Sequence, residues 1–205
     1  MKKIDFKTLI ITSIVCLLPM IIGVIYYGDL PQEMAVHFGL NNEPNNFMSK
    51  NFTVFGMPIL MVLLQCICCI STDIGDKNKE QNRKVTLITK WIIPVISIVV
   101  YSSIILYALG TKLKMQVVAC IILGIVMILV GNYLPKAEPK ERDLKKYSRD
   151  FLKKENRYLG YSFVILGFVW IISAFLSSTL AIVILIITVL LCIAIILILR
   201  FKFKE

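Results

Sequence analysis

His37 is the one histidine in a chain of 205 residues, and the polar groups that could act with it lie close in sequence. Glu33 precedes it by four positions, and Glu43 and Asn45 follow. If 33–37 were helical, the Glu33 carboxylate would sit one turn from the imidazole and favour its charged form. Acid–base or nucleophilic catalysis needs a second activated group within reach, and none is evident beside His37. The other candidate is the run Cys66-Ile67-Cys68-Cys69. A zinc site takes four N or S ligands. All six cysteines (Cys16, Cys66, Cys68, Cys69, Cys120 and Cys192) fall in apolar stretches, with no histidine near them. They are expected to be small buried side chains rather than metal ligands. The chain lacks the phosphate loop G-x-x-x-x-G-K-[ST], H-E-x-x-H and G-x-S-x-G. The expectation is no enzyme, no cofactor and no metal.

What must position these residues is a hydrophobic chain, 58% apolar with mean hydropathy +0.79. About 20 apolar residues at 1.5 Å rise cross a bilayer core of about 30 Å. Six runs approach or reach that length: 8–27, 52–72, 91–109, 115–134, 158–176 and 179–199. A barrel is excluded, because its strands alternate apolar and polar residues, whereas "AIVILIITVLLCIAIILIL" is apolar throughout. The first run is longer than a signal-peptide core and ends in "YYGDLP" without a small-residue cleavage pattern, so it is expected to be retained. The expected fold class is all-α: a polytopic membrane protein with six transmembrane helices. A net charge of +10 would suggest a nucleic-acid partner, but 20 of the 23 Lys and Arg lie in the two tails and in segments 73–90 and 135–157. Short Lys/Arg-rich loops stay cytoplasmic. Both termini are therefore placed in the cytoplasm, the positive charge faces anionic lipids, and no nucleic acid is implied.

That orientation leaves 28–51 as the sizeable outer segment. It mixes Asp29, Glu33 and Glu43 with Met34, Val36, Phe38, Leu40, Phe47 and Met48. Such a mildly acidic, apolar surface could dock an amphipathic or basic peptide, with Glu33, His37, Phe38, Glu43, Pro44 and Lys50 as candidate contacts. The alternative for His37 is an interfacial histidine bonded within its own loop. On the cytoplasmic side, Leu144, Tyr147 and Phe151 recur at helical spacing, and Glu141–Lys145 and Asp150–Lys154 are i,i+4 pairs. Segment 135–157 reads as a basic interfacial helix, or as a solvated loop that only enforces topology. Lys145, Lys146, Lys153 and Lys154 are its candidate contacts for lipid or a cytoplasmic partner. No ionisable residue occupies the central third of a run, unlike ion-coupled transporters. Gln65 is the main polar side chain at depth, expected to bond between helices. Pro19, Pro58 and Pro94 each remove a backbone donor, so neighbours must satisfy the freed carbonyls. Gly160 and Gly167, seven apart, share a helix face suited to close packing. The chain divides into an N-terminal module at 1–90 and a four-helix module at 91–205.

Leu30-Pro31, His37-Phe38, Pro44 and Ser49-Lys50, followed by Met57-Pro58, resemble the N-terminal module of the SdpI-like immunity membrane proteins. In that family an "LP…P.HF…G.P…SK" stretch joins the first two helices. "DIGDKNKEQNRK" resembles the family's "DPK+N" loop, Gly131-Asn132-Tyr133-Leu134-Pro135 its "GNYLPK" element, and "ENRYLGYSFVILG" the approach to its fifth helix. Where members often carry a "GIRTPWT"-like stretch, this chain has "AEPKERDLKKYSRDF". The resemblance implies a non-enzymatic, multi-pass protein of the bacterial cytoplasmic membrane that protects the producing cell from a secreted antimicrobial peptide. In some members it also implies sensing, through recruitment of a cytoplasmic transcriptional regulator. It marks Pro31, Pro58, Gly131, Asn132, Tyr133 and Pro135 as motif positions of structural importance. The competing function is a small transporter or flippase subunit for a lipid-like or peptide substrate.

Overall fold

The structure, a computed structural model, describes residues 4–39, 41–75, 83–139 and 141–202. It is mostly helical: α1 (Phe6–Leu17), α2 (Met20–Ile25), α3 (Met57–Gly75), α4 (Arg83–Ala108), α5 (Met115–Tyr133), α6 (Glu141–Leu144), α7 (Arg149–Ser173) and α8 (Ser178–Lys202). Among the described residues, five stretches are long and apolar enough to cross a membrane: Phe6–Ile25, Phe52–Gly75, Arg83–Ala108, Met115–Lys136 and Thr179–Ile198. The run expected at 158–176 falls in α7, which begins earlier and carries Arg149, Asp150, Lys153, Lys154, Glu155 and Arg157 before its apolar part. Those charges leave about 16 apolar residues inside the helix, roughly 24 Å at 1.5 Å each. The basic amphipathic helix expected over 135–157 is divided: α6 ends at Leu144, and Ser148 starts α7 by accepting a bond from the Phe151 amide at 3.2 Å. Most of "DIGDKNKEQNRK" lies outside the described residues.

The expectation of an all-α chain is corrected at 33–49. Glu33–Phe38 (β1) and Pro44–Ser49 (β2) form a two-stranded antiparallel sheet. Glu33 pairs with Ser49, Met34 with Met48 and Ala35 with Phe47; after an irregularity at Val36 of β1, His37 pairs with Asn46, and after a second at Asn45 of β2, Phe38 pairs with Pro44. Glu33 and His37 are thus roughly 13 Å apart along a strand, not one helical turn apart. The turn depends on Asn42, which adopts φ 62°, a left-handed conformation that asparagine tolerates better than most residues. Its amide donates to the Gly39 carbonyl at 3.0 Å, and the Gly39 amide donates to the Glu43 carbonyl at 2.8 Å.

The chain forms two compact units. The first joins Met1–Ile74 and Lys90–Ala119. Its core is Leu30, Met34, Val54, Tyr101, Ile104 and Ile105, so Met34 of β1 roots the hairpin among helical side chains. Its three in-helix prolines dictate much of the remaining packing. In an α-helix the nitrogen of residue i bonds the carbonyl of i−4, and proline has no proton to give. Pro19 separates α1 from α2, and the Val15 carbonyl accepts from the Leu18 amide at 3.3 Å. Pro58 withholds the donor for Val54, at the end of a π-helical turn (Phe52–Gly56); the buried Tyr101 hydroxyl donates to Val54 O at 3.1 Å. Pro94 frees the Lys90 carbonyl, and Gln65 Nε2 donates to it at 2.8 Å. The expected interhelical role of Gln65 is therefore specific: it replaces a backbone donor.

The second unit comprises Gly75–Thr89 and Cys120–Glu205. Here α5 and α7 meet backbone to backbone. A Cβ on Gly124 would fall 2.6 Å from the Gly167 carbonyl, and one on Gly131 2.6 Å from the Gly160 carbonyl. The face shared by Gly160 and Gly167 is thus a packing surface, and its partner is the glycine pair of α5.

Candidate functional site

The hairpin holds five of the six peptide-contact candidates on its strands and turn, and a set of short-range contacts fixes it. Lys50 follows β2 directly and is buried; its ammonium donates to the carbonyls of Leu30 at 3.1 Å and Tyr27 at 3.2 Å and lies 4.6 Å from the centre of the Tyr27 ring. The Tyr27 hydroxyl bonds Asn51. Phe38 is half-buried, edge-on to Tyr107 of α4 with ring centroids 4.7 Å apart. At the turn, Asn42 Oδ1 accepts from the Gln116 amide at 3.2 Å, tying the hairpin tip to the first turn of α5.

Glu33, His37 and Glu43 are exposed, whereas Pro44 is half-buried. His37 Nδ1 lies 2.6 Å from Asn45 Oδ1 across the hairpin. Glu43 is bonded by the Asn41 side-chain amide, and its own amide donates to Asn41 Oδ1 at 3.2 Å. The structure therefore displays Glu33, His37 and Glu43 outward, half-covers Phe38 and Pro44, and turns Lys50 beneath the sheet. The acidic groups remain on the surface while the one basic group of 28–51 is occupied by carbonyl oxygens, so the exposed face is more negative than the sequence count suggests. Pro31 is exposed and Pro58 is buried.

The lysine candidates of 135–157 divide as well. Lys145, Lys146 and Lys154 are exposed, but Lys153 pairs with Glu138 at 3.0 Å. Nearby, Arg200 bonds the buried Glu155 at 2.9 Å and lies over the Tyr147 ring. The Glu155 carboxylate raises the affinity of the Arg200 guanidinium for its proton. Of the "GNYLPK" positions, Gly131 is buried against Gly160, and the ring of Pro135 sits where a Cβ on Gly160 would be. Tyr133 is capped by the Lys136 ammonium 4.5 Å above its ring, and Asn132 is exposed.

A cluster not anticipated from sequence lies at the opposite end of α4 from the hairpin. Lys90, 1% exposed, donates to both carboxylate oxygens of the buried Asp73 at 2.9 Å and lies 3.9 Å from Asp5. The Asp5 amide donates to Asp73 at 3.0 Å. Asp5 also caps α1, accepting from the Thr8 hydroxyl at 2.6 Å and amide at 3.1 Å, and these bonds hold its carboxyl below the ordinary 3.8. Two turns deeper, Gln65 bonds Thr12 at 2.8 Å and contacts Cys69 Sγ at 3.1 Å. The available signal was an aspartate near the end of one apolar run and a lysine just before the next. Ionisable groups buried in apolar helices are stable only when paired, so each required the other.

Comparison with known proteins is consistent with the SdpI-like resemblance. The family model described as "Domain of unknown function (DUF1648)" matches residues 14–62, which contain the whole hairpin. The chain is 24% identical to "Immunity protein SdpI" of Bacillus subtilis (strain 168) over 186 residues, 87% of each chain. No solved structure matches the chain. The resemblance to SdpI-like proteins, carried by a few short motifs, thus extends along most of the molecule.

Proposed function

We propose that the chain is an integral membrane immunity protein that protects the bacterium bearing it from a secreted antimicrobial peptide. The observation that carries this reading is the similarity to Immunity protein SdpI along 87% of both chains, which favours protection over a transporter subunit. In the same reading α7 supplies a sixth span, both termini lie in the cytoplasm, and the hairpin faces outward, where Glu33, His37 and Glu43 meet the peptide. Lys145, Lys146 and Lys154 face anionic headgroups, each worth about 1 kcal/mol near such a surface. Protection requires binding and sequestration rather than bond chemistry. The test uses a sensitive bacterium killed by spent medium from the strain that carries this chain. Producing the full chain should raise the amount of medium needed to kill. Unchanged killing at confirmed membrane levels would overturn the reading.

A further inference from the structure

We propose that the free edge of β2 captures an extended, cationic peptide segment by strand addition, making the hairpin three-stranded. This rests on the proposed immunity function and specifies how its ligand is held. A two-stranded sheet leaves each strand with one unpaired edge, and among the described residues no further strand pairs with β2. The two edges differ. β1 is rooted in the core through Met34 and Ala35, whereas β2 is exposed from Asn45 to Ser49, with Phe47 at 50%.

Sheet edges in soluble proteins are commonly guarded by lysine, by inward charge, by proline or by a bulge. The strand "PNNFMS" carries no charge, its proline stands at the first position, and its one irregularity, at Asn45, leaves Phe47–Ser49 in regular register with β1. The edge from Phe47 to Ser49 is therefore competent to pair. The Lys50 amide donates to the Gln32 carbonyl at 2.8 Å. Because inward and outward backbone groups alternate in an antiparallel ladder, Met48 points its amide at β1, while Phe47 and Ser49 point theirs away.

The chemistry of the occupant follows from the surroundings. Strand addition supplies main-chain bonds whatever the sequence, and side chains supply selectivity. Glu33 is exposed opposite Ser49, Asp29 and Glu43 are exposed at the two ends, and Lys50 is sequestered below. Phe47 and Met48 offer apolar contact. The fitting partner is an extended peptide alternating basic and apolar residues. At a membrane interface its backbone gains more from pairing than it would in water.

The test uses the full chain in lipid nanodiscs and an alternating lysine–valine peptide long enough to cover β2. The comparison peptide is the same sequence, N-methylated at alternate amides on the edge that would pair. Binding of the unmodified peptide should slow hydrogen exchange at the Phe47 and Ser49 amides, and N-methylation should weaken binding about tenfold. Phe47→Pro, which deletes one outward amide, should weaken binding comparably, whereas Phe47→Ile should not. Equal binding of the two peptides, or binding of neither, overturns strand addition, and the peptide pair decides this even if the proline variant misfolds. If strand addition fails while the parent chain still protects cells from spent medium, the immunity reading stands and capture lies elsewhere. If the parent does not protect, the immunity reading fails whatever the peptides do.

Discussion

Gln65 shows how much of this molecule turns on single donors and acceptors. Its amide bonds the carbonyl that Pro94 leaves without a partner, so its value should depend on that proline. Gln65→Leu leaves the Lys90 carbonyl buried and unpaired, at a cost of about 1–3 kcal/mol. In a Pro94→Ala background the backbone supplies the missing donor, and the same substitution should cost clearly less. Thermal unfolding of the four proteins in detergent gives this coupling directly; purely additive effects would show that Gln65 does not replace a backbone donor. Asp5 gives a second residue-scale prediction. Its carboxyl is depressed below 3.8 chiefly by the Thr8 hydroxyl, then by the Thr8 amide. Stability from a depressed carboxylate is fully present above the unfolded value and is lost as pH falls through the folded one. Thr8→Ala should raise the Asp5 titration midpoint toward 3.8 and flatten the acid-side loss of stability; NMR titration of the Asp5 carboxyl measures the first and unfolding against pH the second.

Among the elements, the α5–α7 pair makes the sharpest prediction. Gly124→Ala places a methyl 2.6 Å from the Gly167 carbonyl, and neither backbone can yield without separating the helices. A loss of about 1–3 kcal/mol is expected, and Gly75→Ala, with nothing within 4 Å, is the control that should change little. The glycine spacing on α7 was legible because a seven-residue interval repeats one helix face; the opposing glycines of α5 repeat the same interval. The long apolar helices were legible because composition alone marks them. The hairpin was not. "EMAVHF" lacks a clean alternation, since Met34 and Ala35 are both buried and the irregularity at Val36 breaks the period of two. "PNNFMS" has weak strand preference, and what holds it is pairing to β1 together with Asn42, whose tertiary bond to α5 no local pattern reveals. Lys50 misled for a related reason: exposure is the default for lysine, and its burial depends on carbonyls at Tyr27 and Leu30 gathered by the fold.

At the scale of the whole molecule, every functional statement about the hairpin depends on which side of the membrane it occupies. The basic residues predict that side: segments 73–90 and 135–157 with the two tails carry 20 of 23 Lys and Arg, and such loops are retained in the cytoplasm. Consistent alternation then requires α7 to cross, although Arg149 to Arg157 shorten its apolar part. Without that crossing, the chain after α5 has one span fewer and its C-terminus emerges on the opposite side. A reporter active only outside the cell, fused after Asn45 or Lys112, should be active, and fused after Lys146 it should be silent. Fusions after Phe175 and after Arg200 decide α7: activity at the first and silence at the second require six crossings. Silence after Phe175 with activity after Arg200 would show that α7 lies on the cytoplasmic face and that five helices span. Silence after Asn45 would place the hairpin inside, where a secreted peptide could not reach it.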